Sequence, residues 1–141
     1  MLAGHTRLER ICFPVNKEKK LPETGWIEDN TIFPDAVSQL AQYFEGRLTQ
    51  FDLDLQPTGT TFQKRVWQAV LTIPYGTTAT YGQIAEQIDN PKAFRAVGLA
   101  NRSNPIPIII PCHRVIGKNG KLTGFAGGID IKQALLDLEK S

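Results

Sequence analysis

Residues 80–102 read TYGQIAEQIDNPKAFRAVGLANR, the pattern of two short helices joined by a tight turn. Thr80 is placed to cap a helix running through Ile88. Asp89-Asn90-Pro91 forms the turn, and Lys92 to about Arg102 gives the second helix. The layout is that of a helix-turn-helix. The second helix carries Ala93, Ala96, Gly98 and Ala100, with Arg95 and Arg102 beside them. Small side chains here serve either close approach to a groove or tight helix packing, and composition leaves both open. A glycine within a helix costs about 1 kcal/mol against Ala, so Gly98 needs a packing or functional reason.

Upstream, Pro57-Thr58-Gly59-Thr60 reads as a linker whose threonines cap a helix from Phe62 to about Ile73, with Phe62, Val66, Ala69, Val70 and Ile73 on one face. Before it, Leu8 to Val15 reads as a strand and Asn16 to Glu23 as a solvated loop. Pro34 begins a helix with Val37, Leu40, Ala41 and Phe44 inward and Gly46 as its C-cap, and Phe51 to Leu55 alternates like a half-wet strand. Downstream, Asn104-Pro105-Ile106-Pro107 stops the second helix of the pair. Ile108 to Ile116 is a buried run broken by Pro111-Cys112-His113-Arg114, Gly117 to Gly128 is loop and short strand, and Ile129 to Glu139 is a helix with Ile131, Ala134, Leu135 and Leu138 inward. The fold class expected is α/β (α+β): a small α/β N-terminal lobe over residues 1–57, then a mostly helical domain over 58–141 containing the helix-turn-helix.

The 141 residues, 41% hydrophobic and 21% charged, fit one ordinary globular unit with a lobe attached, not a disordered or fibrous chain. No apolar run reaches the roughly 18 residues that span a bilayer, and Met1 to Arg10 lacks a secretory apolar core. A soluble cytoplasmic protein is expected. The net charge of +2 hides an asymmetry: between Asn90 and Ile129 stand Lys92, Arg95, Arg102, Arg114, Lys118 and Lys121 with no acid, so this stretch carries +6 and the rest −4. Such a segment suits a phosphate partner or is a solvated surface.

Cys12 and Cys112 lie far apart and in no metal-ligand spacing, which argues against a disulfide framework and a zinc site. A thiol among proline, histidine and arginine has what a nucleophile needs, since neighbouring cations or an imidazole raise its thiolate fraction. Cys112 is therefore the candidate nucleophile, although a buried cysteine is commonly an inert small hydrophobe. His113 is its neighbour in sequence, and adjacent side chains in extended backbone point apart, so a turn or a bridging water must connect them. A histidine base is usually oriented by a carboxylate, and Glu139 is the best candidate. It could also be a solvated helix end. His5 and Cys12 have no partners in pattern.

Pro111-Cys112-His113-Arg114-Val115 preceded by Asn104-Pro105 resembles the active-site signature of the O6-alkylguanine-DNA alkyltransferase family. The likeness extends from about Phe62 to Glu139 through Thr80-Tyr81, Asn90-Pro91-Lys92-Ala93, Arg95-Ala96-Val97-Gly98 and Gly127-Gly128. The resemblance implies a monomer that binds double-stranded DNA containing O6-alkylguanine through the minor groove, flips the damaged base, and moves its alkyl group once and irreversibly to Cys112. No metal or organic cofactor and no membrane enters. His113 would be the water-mediated base, Glu139 its orienting acid and Asn104 the hinge bracing the turn. Tyr81 would help rotate the nucleotide and donate to the guanine ring, Arg95 would fill the vacated stack, Asn90 and Lys118 would touch the DNA backbone, and the Val115 carbonyl would read the guanine amino group. Two departures stand out. Only seven residues precede the first strand, so a truncated or incompletely paired N-terminal lobe is expected, and Ala126 stands where many relatives have Ser. A non-catalytic lesion binder, which carries Trp at the Cys112 position, and a cysteine hydrolase are the alternatives.

Overall fold

The computed structural model describes residues 2–3, 10–11, 34–122 and 128–140. His5, Cys12, the loop over 16–23, and Ala126 and Gly127 lie outside the described residues, as does most of the strand expected over 8–15. What is described of that strand, β2 (Arg10–Ile11), pairs antiparallel with β1 (Leu2–Ala3), Leu2 opposite Ile11. Leu2 and Ala3 thus supply a pairing partner for the described part of the strand, and the completeness of the rest of the lobe lies outside the described residues. Ile11 also donates its amide to the Pro105 carbonyl at 2.7 Å, tying this lobe to the approach to the site.

Helix α1 (Pro34–Phe44) ends as expected at Gly46, whose φ of +77° suits glycine; the Gly46 amide bonds the Tyr43 carbonyl and the Arg47 amide the Gln42 carbonyl, closing a Schellman motif. Its inward face differs from the expected one. Ala36 and Tyr43 are buried while Val37 and Phe44 are exposed, because a tyrosine can bury its ring when its hydroxyl finds a partner inside. Phe51 to Leu55 keeps its alternation, with Phe51, Leu53 and Leu55 packed on the core, but it is extended backbone with a single bridge at Leu55, not a ladder strand.

Helix α2 (Thr61–Leu71) is opened by a capping box: Thr60 accepts from the Gln63 amide and Gln63 reaches back to Thr60. Val66, Trp67, Ala69 and Val70 are buried, with Ile73 just beyond, and the Trp67 Nε1 donates to the Ala100 carbonyl at 2.8 Å. A second capping box, Thr80 with Gln83, opens α3 (Tyr81–Gln87). Asp89, at φ +60°, ends it, and α4 begins at Phe94, two residues later than expected, and runs to Arg102. Helices α2, α3 and α4 pack on one another as a helix-turn-helix with its support. Ala100 is buried beneath Trp67 and Gly98 lies against the Tyr81 ring, which is the packing use, whereas Ala96 faces outward and is free of it.

Strands β3 (Ala79–Thr80) and β4 (Val115–Ile116) pair in parallel, Ala79 opposite Val115 and Thr80 opposite Ile116. This short ladder fixes the start of α3, and with it Tyr81, against the backbone just past Cys112. Helix α5 (Ile129–Lys140) closes the described chain with Lys132, Leu135, Leu136 and Glu139 buried; Ala134, expected inside, is exposed.

Candidate active site

Cys112 opens a one-turn 3-10 helix, Cys112–Arg114, whose residues are all buried. The turn separates the Cys112 and His113 side chains from the opposed directions of a strand, which meets the geometric condition their adjacency sets. Ahead of it, Ile108 sits at φ +75°, a conformation that costs a β-branched residue about 1–3 kcal/mol and persists only where the surroundings enforce it. Asn104 does the enforcing. Its Nδ2 donates to the Ile110 carbonyl at 2.8 Å and its Oδ1 accepts from the Ile106 amide at 2.9 Å, while the Ile110 amide closes onto Ile106. Asn104 also lies close enough to the Cys112 thiol to favour its ionised form.

From α5, Glu139 meets His113 at 2.6 Å between Oε2 and Nε2. Arg114 grips the same carboxylate from its other side, Nε to Oε1 at 2.8 Å and Nη2 to Oε2 at 3.0 Å, and gives its Nη1 to the Ile73 carbonyl. The Tyr43 hydroxyl donates to Oε2 at 2.5 Å and the Gly76 amide to Oε1 at 3.3 Å. Burial pushes this carboxyl upward, but the hydrogen bonds from His113, Arg114 and Tyr43 outweigh it and hold Glu139 down at about 2. Glu139 is therefore ionised and only accepts. It follows that His113 carries a proton on Nε2. Burial lowers the His113 pKa against the pull of Glu139, so the ring is neutral and its Nδ1 is a bare acceptor. That nitrogen is buried and has no hydrogen-bond partner among the described residues.

Burial raises the Cys112 thiol to about 11, against the lowering effects of Asn104 and the Lys132 charge. Lys132 is fully buried, donates to the Val115 carbonyl at 2.6 Å, and is lowered by burial to about 8. Asn101, also buried, gives its Nδ2 to the Cys112 carbonyl at 3.2 Å. The Cys112 carbonyl also accepts from the Val115 amide, so both of its lone pairs are taken, while the Val115 carbonyl is oriented by the buried Lys132 ammonium.

The structure brings Cys112, His113, Glu139, Asn104 and Val115 together. Tyr81, half-buried, heads α3; Arg95 is exposed on α4, Asn90 is exposed in the turn, and Lys118 is exposed in a short 3-10 turn, Lys118–Gly120. Arg114 corrects the charge reading, because it is buried on Glu139 and leaves Lys92, Arg95, Arg102, Lys118 and Lys121 as the exposed cations of the basic stretch. Tyr43, Arg114, Asn101 and Lys132 were missed as site residues. The only sequence signal for Lys132 was its place beside Ile131 in the helix also carrying Glu139, and Tyr43 lies 96 positions from Glu139.

Two family models cover nearly the whole chain: the DNA binding domain of 6-O-methylguanine DNA methyltransferase over residues 61–141 and the ribonuclease-like domain of the same protein over 6–57. The chain is 61% identical over 139 residues to the methylated-DNA–protein-cysteine methyltransferase of Mycolicibacterium paratuberculosis, covering 99% of this chain and 84% of that one. The Methanosarcina acetivorans protein of the same name is 56% identical, with 100% and 91% covered. The crystal structure of Mycobacterium tuberculosis OGT in complex with DNA superposes with a TM-score of 0.91 at 56% identity, covering 99% of this chain and 84% of that one. With a buried Cys-His-Glu cluster set behind a helix-turn-helix, the chain belongs to the 6-O-methylguanine DNA methyltransferase family.

Proposed function

We infer that this protein repairs double-stranded DNA by taking the alkyl group from O6 of guanine onto the Cys112 sulfur, once and irreversibly. The observation that carries the reading is the buried pairing of an ionised Glu139 with a neutral His113 beside the thiol. Cys112 gives its proton, through a bridging water, to His113 Nδ1. The thiolate then attacks the alkyl carbon in line, an S–C bond forms as the C–O6 bond breaks, and the electron pair leaves with guanine, which is neutralised by a proton from the site. Tyr81 donates to the departing ring. A thioether has no leaving reaction at neutral pH, so the chain is consumed. A lesion binder without chemistry would lack the acceptor that Cys112 supplies.

Cys112 is only 4% exposed, so a base held within a duplex cannot reach it. The guanine leaves the stack through the minor groove, at a cost of a few kcal/mol that is least for a poorly paired lesion. Arg95 fills the gap, Asn90 and Lys118 touch the backbone, and the Val115 carbonyl, oriented by Lys132, accepts from the guanine amino group. Asn104 keeps the thiol in register by bracing the strained turn. Residues 1–57 act as the support that carries Tyr43 and residues 58–141 as the unit that binds DNA and transfers the alkyl group. The protein works as a monomer in the cytoplasm; among the described residues no helix is long and apolar enough to cross a membrane.

Intact mass after incubation with a duplex containing O6-methylguanine tests the assignment. One added methyl group, mapped by peptide mass to Cys112 and abolished by Cys112→Ala while duplex binding persists, is the expected result. A methyl group on Cys12 would overturn it.

A further inference from the structure

Helix α4 turns Val97, Ala100 and Asn101 into the protein and leaves two large apolar side chains in the open, Phe94 at 48% and Leu99 at 63% exposure. At about 100° per residue they bound an arc of roughly 140° that contains Gly98, Arg102 and Arg95. Within that arc the Phe94 ring already touches its neighbour, with the Arg95 guanidinium carbon 5.9 Å from the ring centroid. Scattered exposed apolar residues are ordinary, but two on one short helix, either side of the outward arginines and inside a stretch free of acids, form one surface. Its cations complement phosphate, which selects duplex DNA over an apolar partner.

We propose that Phe94 and Leu99 are minor-groove wedges of this chain that flank Arg95 and supply a salt-independent part of duplex binding, a role that rests on the DNA-binding reading above. Bulky apolar side chains enter minor grooves where base steps are partly unstacked. Extrusion of a nucleotide creates such a step. With Arg95 in the gap, the deoxyriboses on either side of it are apolar surfaces that Phe94 and Leu99 can cover, while the Phe94 ring aims the guanidinium of Arg95 outward.

Fluorescence anisotropy with a lesion-containing duplex, repeated over a series of salt concentrations, tests this for Phe94→Ala and Leu99→Ala, with Arg102→Ala as the phosphate-type reference. Both positions are exposed, so thermal melts should match the parent. Affinity is expected to fall about tenfold for Phe94→Ala and about threefold for Leu99→Ala, the scale of covering part of an apolar side chain, with the slope of log K against log salt unchanged. Arg102→Ala should instead lower that slope by about one unit. Affinities within twofold of the parent, or a reduced slope for Phe94→Ala, would overturn the wedge role. So would a parent that sediments as a dimer and dissociates on Phe94→Ala, since the surface would then join two copies. If the parent binds duplex and both variants match it, only the wedge role falls; if the parent fails to bind, the DNA reading falls with it.

Discussion

Glu139 sits at the meeting point of His113, Arg114, Tyr43 and the Gly76 amide, so one carboxylate both fixes the histidine tautomer and satisfies a buried guanidinium. His113→Ala should slow transfer by roughly 10²-fold or more, the range of lost general-base assistance, with little change in duplex affinity. The parent's rate should fall on the acid side only below the ordinary histidine value of 6.5, because burial lowers the His113 pKa, and that limb should vanish in His113→Ala. Single-turnover rates against pH check both points; an acid limb above 6.5 would contradict a neutral His113. Lys132 has a separate signature. Its charge favours the thiolate, so Lys132→Met should raise the Cys112 pKa further above 9 and slow iodoacetamide alkylation in the absence of DNA, while Lys132→Arg recovers part of the rate. Equal alkylation rates in parent and Lys132→Met would remove that role. Cys112, His113 and Glu139 were legible as a cluster because a thiol, an imidazole and a carboxylate are residue types of recognisable chemistry. Tyr43 and Lys132 were not, since nothing in a helical tyrosine or lysine says which partner lies across the fold.

Helix α2 is held to the helix-turn-helix by Trp67, whose ring also fills the space above Gly59. A Cβ at Gly59 would lie 2.5 Å from the indole Cη2, and the buried ring has nowhere to move. Gly59→Ala should therefore destabilise by about 1–3 kcal/mol, as overpacking does, and an unchanged urea midpoint would show that the linker yields instead. The end of α3 offers the reverse case: Asp89 occupies φ +60° at a helix C-terminus where glycine is favoured and an acid opposes the dipole. Asp89→Gly should add up to about 1 kcal/mol. The capping threonines, the turn and the helix pair could be read from local chemistry, which acts within four residues. The inward face of α1 and the fate of residues 51–55 could not, because both depend on what packs against them from elsewhere in the chain.

At the scale of the molecule, the N-terminal lobe reaches the site through Tyr43, and the network it joins makes stability depend on pH. Glu139 has a folded value near 2 against an ordinary 4.5, so it binds fewer protons folded than unfolded in that window. Its contribution, on the order of 3 kcal/mol, is present above about pH 4.5 and is lost as pH falls toward 2. His113, also lowered, adds a loss that begins as pH drops below 6.5. Urea unfolding should show stability declining from pH 6.5 downward and more steeply below 4.5, with the lower step abolished in Glu139→Gln. The network, the strained turn and the helix pair converge on a single transfer to one sulfur. Rapid-quench assay of methyl transfer with duplex in large excess is the direct measurement: a burst of one methyl per chain followed by no further transfer is expected, and a steady-state rate after that burst would contradict single use.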